Sequence, residues 1–103
     1  MNVQITKRHD RHLSQETKDF IVADVEALQR FHDGISSAHV ILDKVEHKSG
    51  PEDIVEIIIN AAGANITAKT SNQEENMVKA FDETLSKVAR QLKKKNEKEK
   101  SHN

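Results

Sequence analysis

Residues 54 to 61, Ile-Val-Glu-Ile-Ile-Ile-Asn-Ala, set five β-branched apolar side chains around a single Glu56. Such residues lose rotamer freedom in a helix and pack well on a pleated surface, so the run predicts a central strand. A central strand needs partners on both edges and a layer over at least one face. A chain of 103 residues has room for one such sheet and one core.

The partners are legible on both sides of that run. Asn2-Val3-Gln4-Ile5-Thr6 alternates polar and apolar residues and predicts a short strand, with a polar loop from Lys7 to Leu13 after it. Ser14 is placed to cap a helix whose first turn holds Glu16. Ile21, Val25 and Leu28 fall at helical spacing, Phe20 and Phe31 extend the stripe, and Gly34 ends it, so a helix is expected near 14 to 32. Ala38, Val40 and Leu42 alternate with His39, Ile41 and Asp43, which predicts a strand over 36 to 45 with one buried face. Lys48-Ser49-Gly50-Pro51 breaks it. Ala62-Gly63 predicts a tight connection, after which Asn65 to Thr70 pairs back as a hairpin. A long final helix is expected to begin near Gln73 or Glu74.

The order strand, helix, three strands, helix predicts an α+β fold. It is a two-layer sandwich, β-α-β-β-β-α, in which a four-stranded sheet carries both helices on one face. The first helix makes a right-handed crossover between parallel neighbours. Residues 1–97 form a single domain. The tail 98–103 has no apolar residue and is expected to be disordered.

The final helix separates packing from display. At about 100° per residue, Lys79, Lys87, Arg90, Lys93 and Lys94 share an arc of roughly 120°, while Met77, Phe81, Leu85, Val88 and Leu92 gather on the far side. Glu83 and Glu97 lie within the basic arc and dilute it. The formal net charge is −1, yet from Lys79 onward eight Lys or Arg stand against four Asp or Glu, so residues 1 to 78 are net acidic. That asymmetry predicts a basic end that contacts a polyanion, on an acidic body. Lys7, Arg8 and Arg11, with His9 and His12, offer a second cationic loop at the sheet edge; the same residues also read as an ordinary solvated loop.

Other chemistry finds little support. Without cysteine there is no disulfide, thiolate metal site or cysteine nucleophile, which suits a reducing cytosol. His9 and His12 have an H-x-x-H spacing, but no third ligand stands near them, so no metal is expected. No nucleophile elbow or phosphate-binding glycine loop is present, and no catalytic residue is expected. No apolar run is long enough to span a bilayer, and the protein is expected to be soluble and cytoplasmic. Met77 and the three Phe are expected in the core. The absence of Tyr and Trp weakens base stacking on the sheet and leaves the phosphate backbone as the better target.

These residues resemble the short form of the ribosome hibernation-promoting factors, also called ribosome-associated inhibitors or ribosomal subunit interface proteins. The likeness covers residues 1 to 98. It is carried by Asn2-Val3-Gln4-Ile5-Thr6, Phe31-His32-Asp33, Ala38-His39-Val40-Ile41-Leu42, Ile66-Thr67-Ala68 and, most specifically, Lys87-Val88-Ala89-Arg90-Gln91-Leu92 followed by lysines. The resemblance implies a non-catalytic protein that needs no cofactor. It would sit on the small ribosomal subunit of the 70S ribosome, between head and body, against 16S rRNA. There it would cover the paths of messenger RNA and of A-site and P-site transfer RNA, inhibiting translation and preserving ribosomes in starvation or stationary phase. Lys87, Arg90, Lys94 and Lys98 match the family's rRNA-contacting positions, and the helix geometry adds Lys79 and Lys93. Arg30 joins Lys7, Arg8 and Arg11 as a secondary contact.

Three departures from the family pattern stand out. Asp24 and Ala27 occupy first-helix places where better-known members carry lysines. An Asp-Met-Tyr signature stands here as Asn76-Met77-Val78. The dimerisation domain of long-form members is not in this sequence, so ribosome dimers would need a second hibernation factor or a reshaped subunit, and silencing of single ribosomes is the other outcome. Outside the family, a general double-stranded-RNA module is the rival reading; a small enzyme on the same scaffold is a third.

Overall fold

The computed structural model describes residues 1–9, 12–73 and 76–100. Strand β1 spans Asn2–Lys7 and helix α1 Gln15–Glu26, which tightens into a 3₁₀ segment over Ala27–Phe31. Strands β2 (Ile35–His47), β3 (Gly50–Ala61) and β4 (Ala64–Asn72) follow, and helix α2 covers Met77–Lys100. The strand order is β1-β2-β3-β4; β1 runs parallel to β2 and the other pairs are antiparallel. The expected α+β sandwich is therefore the observed one, with the β-branched run in an interior strand.

Alternation along β3 explains why both helices share one face. Val55, Ile57, Ile59 and Ala61 are buried and meet Ala38, Val40 and Leu42 of β2 and Ile66 of β4 in a single core with Ile21, Val25, Leu28, Phe81, Val88 and Leu92 of the helical layer. The intervening residues, such as Ile54, Glu56 and Ile58, point to the uncovered face and are half-buried. Thr84 is fully buried in α2; its hydroxyl donates to the Ala80 carbonyl at 2.7 Å, a backbone acceptor in its own helix. Among the described residues no helix is long and apolar enough to cross a membrane.

Several boundaries differ from expectation for local reasons. Helix α1 has the expected Ser14 cap, whose hydroxyl accepts the Thr17 N–H at 3.2 Å, but it ends as a 3₁₀ turn from Ala27. His32, in extended conformation, stops it, not a left-handed Gly34. The glycine is needed for another reason: a Cβ there would lie 2.9 Å from His32 Cε1. Strands β2 and β3 run on to a two-residue turn at Lys48-Ser49, pairing His47 with Gly50, because the expected break is the hairpin itself. Ala62 and Gly63 both have positive φ, 52° and 80°, as a two-residue hairpin with right-handed strand twist requires.

Helix α2 starts at Met77, later than expected, because Asn76 caps it: its Oδ1 accepts the Lys79 N–H at 3.0 Å. The expected start at Glu74 lies outside the described residues. At the other end the helix continues through Lys100, so residues 98–100, expected in a disordered tail, are helical; 101–103 lie outside the described residues. Of the three Phe, only Phe81 is fully buried. Phe31 is partly buried, and Phe20, expected in the core, is exposed with its ring edge against Phe81 at 5.9 Å.

Candidate nucleic-acid interface

Helix α2 lies along the free edge of β4, and its basic side chains begin there. Lys87 Nζ donates to the Thr70 hydroxyl at 3.2 Å and reaches the Lys69 carbonyl at 3.5 Å. One turn on, Gln91 Nε2 donates to the Thr67 carbonyl at 3.0 Å. An unpaired strand edge invites another strand, and these two side chains occupy its outward carbonyls. Edge cover and cation display thus come from one helical row.

Beside that row is a groove lined by Thr67, Ala68, Lys87, Arg90, Gln91 and Lys94. Three of the expected rRNA-binding residues converge in it. Arg90 and Lys94 are exposed, and among the described residues neither has a carboxylate partner. A neighbouring hollow, lined by Ile66, Gln91, Lys94 and Lys98 among others, continues the cationic surface toward the helix end, with Glu97 and Glu99 on its rim. The surface offers cations over a concave floor, and this arrangement suits neutralising phosphates.

The remaining expected residues fall elsewhere. Lys93 turns to the other flank of α2, where its Nζ sits 4.6 Å from the Phe31 ring centroid; Arg30 lies 4.7 Å from the same centroid. The structure thereby joins Arg30 to Lys93, a pairing that sequence spacing does not reveal. Lys79 stands in the first turn of α2, about 28 Å of helix rise from Lys98. Lys7 and Arg8 are at the end of β1, the opposite sheet edge, about 14 Å from β4 across three strand spacings. They do not line the groove; Arg11 lies outside the described residues. His9 next to them is not turned to His12 but donates through Nδ1 to Asp43 at 2.6 Å. That hydrogen bond, with the Lys44 backbone N–H and the Arg8 charge, holds the Asp43 carboxyl below the usual aspartate range.

Gln91 and Thr67 were not expected in the site. The signal for Gln91 was its position four residues after Lys87, on the border of the basic arc. Thr67 contributes a backbone carbonyl, which leaves no mark in composition or spacing.

The sequence matches the sigma 54 modulation protein / S30EA ribosomal protein family over residues 3–100, nearly the whole of the geometry just described. The chain belongs to this family. A ribosome hibernation promoting factor from Klebsiella oxytoca is 31% identical over 102 residues, covering 99% of this chain and 100% of that one. Two solved structures share the fold. The N-terminal domain of Thermus thermophilus Protein Y superposes with a TM-score of 0.74 at 18% identity, over 91% of this chain and 98% of the other. A ribosomal subunit interface protein from Coxiella burnetii gives 0.70 at 24% identity, over 91% and 96%. The S30EA-family match takes in α2 with Lys87, Arg90, Lys94 and Lys98, so the groove lies within the family's shared region.

Proposed function

We propose that this protein is a ribosome hibernation factor of the cytoplasm. It lays the β4–α2 groove on 16S rRNA between the head and body of the small subunit and blocks messenger RNA and A-site and P-site transfer RNA there. The single observation that carries the reading is the convergence of Lys87, Arg90 and Lys94 in one groove. Family membership and the hibernation promoting factor from Klebsiella oxytoca support the ribosome as partner. No chemical step is involved. Binding competes for a site, and by holding ribosomes inactive it preserves them in starvation or stationary phase.

The energetics are those of counterion release. Six phosphate contacts give a slope of roughly −4 to −5 in log K against log salt, so affinity falls steeply with ionic strength. Lys79, Lys87, Arg90, Lys93, Lys94 and Lys98 make these contacts, with Arg30, Lys7, Arg8 and Arg11 in secondary roles.

Co-sedimentation with purified small subunits at physiological salt tests the proposal. The protein is expected to travel with the subunit and to inhibit translation in a purified extract, and Arg90→Glu with Lys94→Glu to release it. Free sedimentation of the unaltered protein refutes the reading. Equal affinity for an arbitrary RNA duplex would favour a general double-stranded-RNA module.

A further inference from the structure

The helical layer holds a second furrow that the basic groove does not use. It runs between α2 and the α1–3₁₀ segment, with Ala27, Leu28, Phe31, Leu85 and Ala89 on its floor and Asp24, Arg30 and Ser86 on its walls. Toward the start of α2 two large apolar side chains open to solvent: Phe20 is 40% exposed and Val78 43%, the exposed large hydrophobics among the described residues. They flank one residue. The Phe20 ring meets Phe81 edge-on at 5.9 Å, and Val78 lies three positions before Phe81 on α2, where helical neighbours adjoin.

The rim of this apolar spot is acidic. Glu16 and Asp24 stand four positions either side of Phe20 on α1, and Asp82 four positions after Val78 on α2. Helix α1 as a whole carries four carboxylates against one lysine. The cations at the far end of the furrow, Arg30 and Lys93, are drawn over the Phe31 ring. A polyphosphate approaching Phe20 meets negative charge on both helices; a cationic protein segment meets complementary charge around an apolar seat.

We propose that the apolar spot formed by Phe20 and Val78, with the Asp24 end of this furrow, docks a Lys- and Arg-rich segment of a ribosomal protein, one apolar side chain seated on Phe20 and Val78 and its cations against Glu16, Asp24 and Asp82. The inference rests on the ribosome reading for the source of the segment, since proteins packed on ribosomal RNA carry such cationic stretches to neutralise phosphate. It gives the protein two chemically opposite contacts: basic groove to RNA, acid-rimmed apolar spot at Phe20 and Val78 to protein.

The test is a charge reversal whose sign separates the occupants. Asp24→Lys with Asp82→Lys is expected to weaken binding to purified small subunits roughly tenfold while leaving affinity for a plain RNA duplex unchanged or raised. Tighter or unchanged subunit binding would overturn the proposal, because a furrow facing RNA gains from added lysines and one facing solvent is indifferent. A photo-crosslinking aromatic side chain in place of Phe20, which is 40% exposed, gives a second measurement that does not depend on that variant's folding. Crosslinks to a ribosomal protein support the proposal; crosslinks to 16S rRNA, to a second copy of this chain, or none from a subunit-bound protein overturn it. If the unaltered protein fails to bind subunits, the ribosome reading fails by itself. A synthetic peptide of alternating Lys and Leu then decides the furrow: binding lost with Phe20→Ser and Val78→Ser upholds it, and no binding ends it.

Discussion

Buried His32 reaches the last turn of the final helix: its Nε2 lies 2.8 Å from Glu99 Oε2, across 67 positions of sequence. Its other nitrogen, Nδ1, accepts the Gly34 backbone N–H at 2.9 Å, which places the imidazole proton on Nε2, facing the carboxylate. Glu99 is also held by Lys95 at 2.8 Å, one turn earlier. The last fully buried residue of α2 is Leu92, so this clasp, not the core, anchors the two turns beyond it. Those turns carry Lys94 and Lys98, so the latch holds the stretch of helix on which these two cations stand.

Breaking the clasp should loosen that end without unfolding the domain. Glu99→Ala is expected to speed amide hydrogen exchange selectively over residues 96–100 and to weaken subunit binding less than loss of Arg90 does. Replacing His32 is more severe, since the side chain is 4% exposed and its loss leaves the Gly34 N–H unpaired; His32→Ala should cost about 2–3 kcal/mol in denaturant unfolding. Gly34→Ala, whose Cβ would press on His32 Cε1 at 2.9 Å, should cost about 1–3 kcal/mol by the same assay.

The basic groove has its own signature. Arg90→Gln with Lys94→Gln should lower the magnitude of the salt slope by roughly 1.4–1.8, because two phosphate contacts vanish, with thermal stability unchanged. Lys87→Gln should differ: it removes a contact and also uncovers the β4 edge, so aggregation in light scattering should rise along with the loss of affinity.

The Ala62-Gly63 turn stores strain that a substitution can relieve. Ala62 has φ of 52°, a left-handed conformation that costs an ordinary residue about 1 kcal/mol and that asparagine tolerates. Ala62→Asn should raise the melting temperature by about 2–6 °C, measured by calorimetry, and leave ribosome affinity as it was.

Stability should fall at acid pH through two carboxylates. The Lys95 ammonium, then His32, holds Glu99 below its ordinary 4.5, and the His9 hydrogen bond holds Asp43 below 3.8. A carboxyl that ionises more readily in the folded protein adds stability above its unfolded value and loses it as pH drops through the folded one. Stability is thus expected to be level in the neutral range and to decline below about pH 4.5, modestly because both groups are solvated. Melts of Asp43→Asn and Glu99→Gln across that range should show a shallower acid limb than the unaltered protein.

Much of this protein is local and could be read from its residues. The β-branched run of 54–61, the Ser14 cap, the Ala62-Gly63 turn and the opposed faces of the last helix all follow from side-chain sterics and periodicity, which act within a few residues. The sandwich then follows, because one sheet with one apolar face has a single way to bury it under two helices. The basic arc of Lys87, Arg90 and Lys94 was legible for the same reason.

What the tertiary structure decided is which of those residues meet. Lys87 and Gln91 find backbone carbonyls of β4, Arg30 finds Lys93 through Phe31, His32 finds Glu99, and Phe20 turns outward with its ring edge on Phe81. Each pairing spans many residues and depends on how far α2 slides along the sheet. Helical periodicity fixes the angle of a side chain about its own axis, but only packing against another element fixes its height along that axis and therefore its partner.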